Sequence, residues 1–252
     1  MSDLTEQRKA DKIKSEFISV VSHELRTPLT SIRGALGLLE SGALGELPAK
    51  AIGLVKIAHK NSQRLGALVN DLLDMEKLSS GKMQLHIERM DLIALTRHAL
   101  EANAAYAQTL QVSFRLLSSP SQAWVMGDNA RVMQVFANLL SNAAKFAPVG
   151  DTVDICIHEH ESIYRVEVID RGAGIPDSFR DQIFKKFAQA DGTDTRPRGG
   201  TGLGLNITKT LVEKMGGEIG FSSELGKGTT FWFTLIAATK RVTDRSANQN
   251  PA

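Results

Sequence analysis

The segment Ser22–Leu29 contains a histidine that packing does not explain. At about 100° per residue, the apolar residues from Ile13 to Leu39 fall on one broad stripe of an amphipathic helix. His23 lies almost opposite the centre of that stripe. Neither burial nor a structural hydrogen bond accounts for an imidazole at this position. The pattern predicts a solvent-facing, reactive histidine.

Asp170, followed by Gly172 and Gly174, stands at the end of an apolar strand predicted over Val166–Ile169. A carboxylate at this position can accept a hydrogen bond from an exocyclic amine such as that of adenine, and the glycines let backbone approach a flat base. Taken alone, an ordinary Asp-Gly turn explains the pattern better. The nucleotide interpretation therefore needs a second motif.

Gly199–Leu205 supplies that motif, because a glycine-rich turn leads straight into a predicted helix. Backbone N–H groups and a positive helix end can meet phosphate oxygens there. The spacing is neither a dinucleotide fingerprint nor a P-loop. A glycine-rich turn without a ligand is the alternative, although so many glycines cost ordering entropy that a plain turn avoids.

Asn138 and Asn142 lie four residues apart on one face of a predicted helix, with Lys145 one turn further on. Amide oxygens are suitable ligands for Mg²⁺, and lysine offsets phosphate charge. Hydrogen bonding between helices is the alternative. Phe184 and Phe187 are spaced for core packing, but their place between the two glycine motifs favours a mobile lid.

Composition places few limits on function. The 252 residues carry a net charge of +2 with both signs interspersed, which gives no bulk attraction to nucleic acid or anionic membranes. The single cysteine, Cys156, forms no intrachain disulfide, which favours a reducing compartment. The chain has no apolar run long enough to span a bilayer. The charged start, Met1–Lys14, reads as a helix that begins in mid-element, so we expect a sensing or membrane segment upstream.

Two long helices precede these motifs. A helical period runs from about residue 5 to 43, and a second runs from Ala49 to Leu78 after breaks at Gly42, Gly45 and Pro48. The first apolar stripe is too wide for one partner helix. A homodimer that forms a four-helix bundle would cover it. Ser79–Lys82 has the small residues of a hinge.

Beyond the hinge, helices and strands mix. We predict strands at Met83–Met90, Gln111–Leu117, Thr152–Ile157, Tyr164–Ile169, Glu218–Ser222 and Thr229–Leu235, and helices that begin after Asp91 and Asp128, at Ser178–Phe187 and at Leu205–Met215. The predicted fold class is α+β: a helical hairpin over residues 1–80, then an α/β sandwich over 81–238 with a mixed, mostly antiparallel sheet and helices on one face. Residues 239–252 are predicted to be a disordered tail.

In this order the motifs resemble the sensor histidine kinases of two-component signalling. His23–Pro28 is similar to the phosphoacceptor box, and the segment from Asn138 to Phe146 to the asparagine box. Asp170, Gly172 and Gly174 resemble the first glycine box, and Gly226–Thr229 a closing glycine motif. The resemblance implies these ATP-binding residues: Asn138, Asn142, Lys145, Phe146, Asp170, Gly172, Gly174, Ile175, Phe187, Gly200, Thr201, Gly202, Leu203, Gly204, Leu205 and Thr229.

The resemblance implies an ATP-dependent protein-histidine kinase. ATP would phosphorylate His23, with Mg²⁺ at Asn142, and the phosphoryl group would pass to an aspartate on a response regulator. Glu24 would polarise the imidazole. Thr27, one turn beyond His23, would help water attack the regulator's aspartyl phosphate. The chain would act as a homodimer in the cytoplasm, or as the cytoplasmic part of a membrane-anchored sensor.

Two other functions use the same motifs. A related ATPase that only drives conformational change would not need His23. A dimeric signalling scaffold with a vestigial nucleotide site would need neither hydrolysis nor transfer, although the intact Asn142, Asp170 and phosphate-loop glycines speak against it.

Overall fold

The computed structural model describes residues 21, 24–43, 45–188 and 201–238, which divide into two compact units. The first unit comprises Met1–Gln84 with Asp181–Thr210, and the second Leu85–Arg180 with Leu211–Ala252. Among the described residues, no helix is both long and apolar enough to cross a membrane. His23, Gly200 and the predicted tail lie outside the described residues.

An antiparallel helical hairpin forms most of the first unit. Residues 24–40 form α1 and Ala49–Ser79 form α2. Arg26 Nη2 lies 3.4 Å from Asn70 Oδ1, and Glu40 Oε2 lies 2.5 Å from His59 Nδ1, so the two helices run in opposite directions. The second helix ends one residue beyond the predicted Leu78.

The hinge predicted at Ser79–Lys82 coincides with the end of α2. The backbone N–H of Ser80 donates to the Glu76 carbonyl, and the N–H of Gly81, which has φ +68°, donates to the Leu78 carbonyl. That left-handed conformation suits glycine, which has no Cβ to clash, and it commonly ends helices. The helix therefore stops here for a local reason.

The second unit holds a five-stranded sheet with the strand order β2-β4-β5-β7-β6. The β2–β4 pair is parallel and the other three pairs are antiparallel. A separate antiparallel pair joins β1 to β3. The elements are β1 Glu88–Asp91, α3 Leu92–Thr109, β2 Ser113–Ser118, β3 Trp124–Gly127, α4 Asn129–Phe146, β4 Thr152–His160, β5 Ile163–Asp170, α5 Asp177–Arg180, α6 Gly204–Lys214, β6 Ile219–Glu224 and β7 Gly228–Ile236.

Both predicted helix caps are confirmed. Asp91 Oδ1 accepts from the N–H groups of Ile93 and Ala94, at 2.9 and 3.2 Å. Asp128 Oδ1 accepts from the Arg131 N–H at 3.1 Å. Each carboxylate satisfies donors that a helix start leaves without a partner. The two long helices α3 and α4 therefore begin where the sequence indicated.

The core of the second unit lies between α4 and the sheet. Val132, Val135, Phe136, Leu139 and Leu140 are fully buried on one face of α4. The Phe136 ring meets Phe233 of β7 edge-on, with 5.4 Å between centroids. Alternate residues of β5 are buried, as expected for a strand with one face covered. The predicted fold class is confirmed.

Two element predictions were wrong in detail, and one strand was missed. The helix predicted at Ser178–Phe187 is a short helix over Asp177–Arg180 that is followed by turns. The strand predicted at Met83–Met90 begins only at Glu88, because the Met83 N–H donates to the Lys77 carbonyl at 3.0 Å. The strand β3 at Trp124–Gly127 was not predicted.

Candidate nucleotide and phosphoacceptor sites

Asp170 is the last residue of β5 and is 5% exposed. Its Oδ1 accepts from the Gly172 N–H at 2.9 Å, which closes a tight turn directly after the strand. Asp170 also pairs in register with Thr229 of β7, whose N–H donates to the carboxylate. The carboxylate is therefore fixed in direction by donors from two segments.

Burial raises the pKa of Asp170 to about 6. Removal of water disfavours the charged carboxylate, while the N–H donors of Gly172 and Thr229 favour it and lower the pKa. The negative charge of Asp151 adds a smaller increase. A further N–H donor, such as an exocyclic amine, would also favour the ionised form.

The glycines of this turn lie against protein backbone. A Cβ on Gly172 would lie 2.4 Å from the Phe146 carbonyl oxygen, and one on Gly174 would lie 2.3 Å from that of Glu224. On the neighbouring strand, a Cβ on Gly228 would lie 2.1 Å from the Asp170 carbonyl oxygen. Real side chains do not fit at such distances, so these contacts alone require glycine.

Sequence reasoning missed Ser223, which connects the turn to the end of the sheet. Its Oγ accepts from the Ile175 N–H at 2.9 Å and donates to the Gly228 carbonyl at 2.9 Å. Thr229 Oγ1 lies 2.9 Å from the same hydroxyl. A serine at a strand end carries no distinctive sequence signal, since only the folded sheet brings these segments together.

The polar face of α4 carries Asn138, Asn142 and Lys145, all half-buried, while Phe146 at its end is 44% exposed. Within the described part of the chain, no hydrogen bond to the Asn142 side chain is found. A neutral amide oxygen suits Mg²⁺, which usually retains several waters and binds phosphates as well. Asn142 therefore fits a magnesium ligand.

The glycine-rich segment belongs to the first unit, and its described part begins at Thr201. Thr201 Oγ1 donates to Asp71 Oδ2 of α2 at 2.8 Å and accepts from the Leu203 N–H at 3.1 Å. Gly202 has φ +70°, and a Cβ there would lie 2.8 Å from the Phe187 backbone. The segment enters α6 at Gly204, as predicted.

The other side chains predicted here differ in exposure. Leu203 is 1% exposed, and Leu205 is half-buried. Phe187 is 63% exposed with φ +61°. Phe187 lies in a turn and its ring is exposed, which suits a lid better than a core.

Residues 24–40 place Glu24 and Thr27 on α1, and both side chains are exposed. Leu29 is buried at 9%, while Leu25 and Ile32 are 46% and 51% exposed in a single chain. One helix partner therefore covers only part of the apolar stripe. His23 itself lies outside the described residues.

Two protein families match the chain in succession. Residues 13–81 match the His Kinase A (phospho-acceptor) domain. Residues 127–239 match the family described as histidine kinase-, DNA gyrase B-, and HSP90-like ATPase. The first match covers the helical hairpin, and the second runs from the end of β3 to one residue beyond the described chain.

Curated proteins that are named sensor histidine kinases match most of this chain. Sensor histidine kinase GacS of Pseudomonas protegens is 36% identical over 236 residues, or 91% of this chain and 25% of GacS. Sensor histidine kinase WalK of Bacillus subtilis is 37% identical over 235 residues, or 92% of this chain and 38% of WalK. The chain thus spans between a quarter and two fifths of these curated relatives.

Among solved structures, full-length ShkA in complex with AMPPNP matches with a TM-score of 0.73 and 31% identity. That match covers 88% of this chain and 46% of ShkA. A phosphoacceptor hairpin followed by an ATPase-type α/β domain defines the catalytic core of histidine kinases. The chain belongs to the sensor histidine kinases of two-component systems.

The raised pKa of Asp170 predicts a pH-dependent stability. In the unfolded chain this carboxyl titrates near 3.8 and in the folded chain near 6. Folding favours the protonated carboxyl. The contribution of Asp170 to the free energy of unfolding is therefore complete below pH 4 and is lost as the pH rises through 6. Relative to Asp170→Asn, the nucleotide-free wild type should lose about 2–3 kcal/mol of unfolding free energy between pH 4 and 7.

Urea unfolding of both proteins at several pH values measures this difference, and the Asn variant cancels the other titrating groups. A difference in unfolding free energy that does not change with pH would contradict the assignment.

Proposed function

We propose that the chain is an ATP-dependent kinase that phosphorylates His23. The observation that carries the proposal is the buried Asp170 carboxylate at the end of β5, fixed by two backbone donors and walled by glycine contacts. It fits the exocyclic amine of adenine. The family match over residues 13–81 supports a phosphoacceptor histidine in the hairpin.

The remaining groups suit a triphosphate. The helix α6 begins at Gly204 after a glycine-rich segment, so backbone N–H groups and the helix dipole favour anionic oxygens there. Lys145 supplies positive charge beside Asn142. The Asn142 amide oxygen would hold Mg²⁺, which would supply positive charge to offset that of the phosphates.

The chemical step needs no strong base. An exposed histidine with an ordinary pKa of about 6.5 is mostly neutral at pH 7 and offers a ring-nitrogen lone pair to the γ-phosphorus. The N–P bond forms, the bond to the bridging oxygen breaks, and ADP leaves. The carboxylate of Glu24 would accept a hydrogen bond from the other ring nitrogen.

Incubation of the chain with γ-labelled ATP and Mg²⁺ tests this reaction. We expect protein-bound label that is labile in acid and stable in base. His23→Gln should abolish the label but leave nucleotide binding unchanged. Asn142→Ala should lower labelling about a hundredfold or more, the scale for losing one group that binds transition-state charge. His98→Gln, an exposed histidine on α3, is the control and should label normally.

The same assay separates the other functions. Free phosphate without protein label would indicate an ATPase that only drives conformational change. Neither product would indicate a scaffold with a vestigial nucleotide site.

We further propose that the phosphoryl group passes from His23 to an aspartate of a response regulator. Thr27 would support the opposing reaction, the hydrolysis of the regulator's aspartyl phosphate. The Thr27 side chain is exposed on α1, where it can contact a docked regulator and a water. Thr27→Ala should leave His23 labelling unchanged but slow the loss of label from a phosphorylated receiver domain by about tenfold. Hydrolysis of the same receiver domain without kinase gives the baseline, and an unchanged rate would exclude the role.

We also propose that the hairpin dimerises into a four-helix bundle. Leu54, Ile57 and Leu65 share one face of α2 and are 70%, 60% and 48% exposed in a single chain. Leaving several such side chains in water is unfavourable, since burial of each stabilises by about 1.5–3 kcal/mol. A second copy of the hairpin would cover them.

Ile57→Glu should therefore weaken the dimer by at least about tenfold, because a symmetric interface buries the introduced carboxylate twice. Lys56→Glu, an exposed position on another side of α2, is the matched control and should leave association unchanged. Sedimentation velocity over a concentration series measures both. A wild-type chain that stays monomeric at high concentration would overturn the proposal.

A further inference from the structure

Arg171 follows Asp170 directly, and its guanidinium is tied to the neighbouring strand. Nη2 donates to Asp154 Oδ2 at 2.5 Å, and Nη1 donates to the Thr152 carbonyl at 2.7 Å. Asp151 Oδ1 lies 3.4 Å from Nη1. One side chain thus links the turn after β5 to three acceptors at the start of β4.

The anchor for this link is a buried charge. The Asp154 side chain is 1% exposed, and its second oxygen, Oδ1, accepts from Arg115 Nε of β2 at 2.8 Å. Arg115 and Arg171 together hold the pKa of the Asp154 carboxyl below its usual value, so it stays ionised. A buried carboxylate whose two oxygens are both occupied by arginines has little freedom to move.

The other hydrogen bonds of the turn lie further along it, toward β6 and β7. The Ala173 carbonyl accepts from the Gly226 N–H at 2.8 Å and the Ile175 N–H donates to Ser223 Oγ at 2.9 Å, so Arg171 adds the bonds that hold the start of the turn to β4. Glycines also leave the local backbone free to adopt many conformations. Arg171 shares a peptide group with Asp170, so fixing its guanidinium restricts the backbone that orients the Asp170 carboxylate.

We propose that Arg171, anchored by Asp154, is a positioning residue that aims the Asp170 carboxylate and thereby sets selectivity for a purine with a 6-amino group. This inference rests on the proposed nucleotide site. Arginine suits the role because its planar fork bonds two separate acceptors at once, whereas lysine presents a single ammonium. Nothing in the sequence pattern alone assigned a role to this arginine.

The test compares two diphosphates that differ only at the position that Asp170 would contact. ADP carries the 6-amino group and purine riboside diphosphate lacks it, and neither can transfer a γ-phosphate. Their dissociation constants are measured by titration calorimetry on the whole chain and on three variants: Arg171→Met, Arg171→Lys and Arg97→Met. The last removes an exposed arginine of α3 from the same unit, so it is the control for the loss of one positive charge.

The wild type should prefer ADP by roughly tenfold or more, the scale for a hydrogen bond to a charged group. In Arg171→Met that preference should fall toward one, because binding of ADP weakens while binding of the analogue changes little. Arg171→Lys should show a similar loss, since it keeps the charge but bridges fewer acceptors. Arg97→Met should retain the wild-type preference.

The positioning role is wrong if Arg171→Met prefers ADP as strongly as the wild type does, or if it binds both nucleotides more weakly by the same factor. If Arg171→Met does not fold, Arg171→Lys decides the question by the same ratio. A wild type that binds neither diphosphate would instead refute the proposed nucleotide site, and the inference would fall with it.

Discussion

The arrangement at the end of β5 depends on one carboxylate that is buried and can still accept hydrogen bonds. Asp170 is nearly enclosed, and a bare charge there would be costly. Two backbone N–H groups, from Gly172 and Thr229, compensate part of that cost. The pairing of β7 with β5 supplies one of these donors, because it places Thr229 opposite Asp170. The pairing of these two strands is therefore part of the site as well as of the sheet.

Much of this could be predicted from the sequence, and for identifiable reasons. Asp91 and Asp128 are cap residues placed just before apolar helical periods, so both long helices of the second unit were located correctly. The fold class followed from the alternation of helical and strand periods. The family motifs then connected residues that lie far apart in the chain.

The rest depends on contacts that sequence patterns do not carry. Phe184 and Phe187 have helical spacing, but the chain forms turns after Arg180, and the Phe184 carbonyl accepts from the Asn206 side chain of α6. Strand β3 is short and pairs with β1 from a distant part of the chain, so local alternation could not reveal it. Ser223 and Asp154 acquire their roles only when separate strands meet. The chemical roles proposed for the nucleotide-site residues remain predictions, although the structure describes the positions of most of these residues.

The glycine contacts around Asp170 have a practical consequence for chemical inhibition. The wall made by Gly172, Gly174 and Gly228 consists of main-chain atoms in contact with other main-chain atoms, with no room for a Cβ. A compound that binds to this wall would contact a surface that single amino-acid substitutions cannot change without disturbing the fold. Resistance to such a compound would have to arise at side chains outside this turn, where substitutions do not meet main-chain atoms.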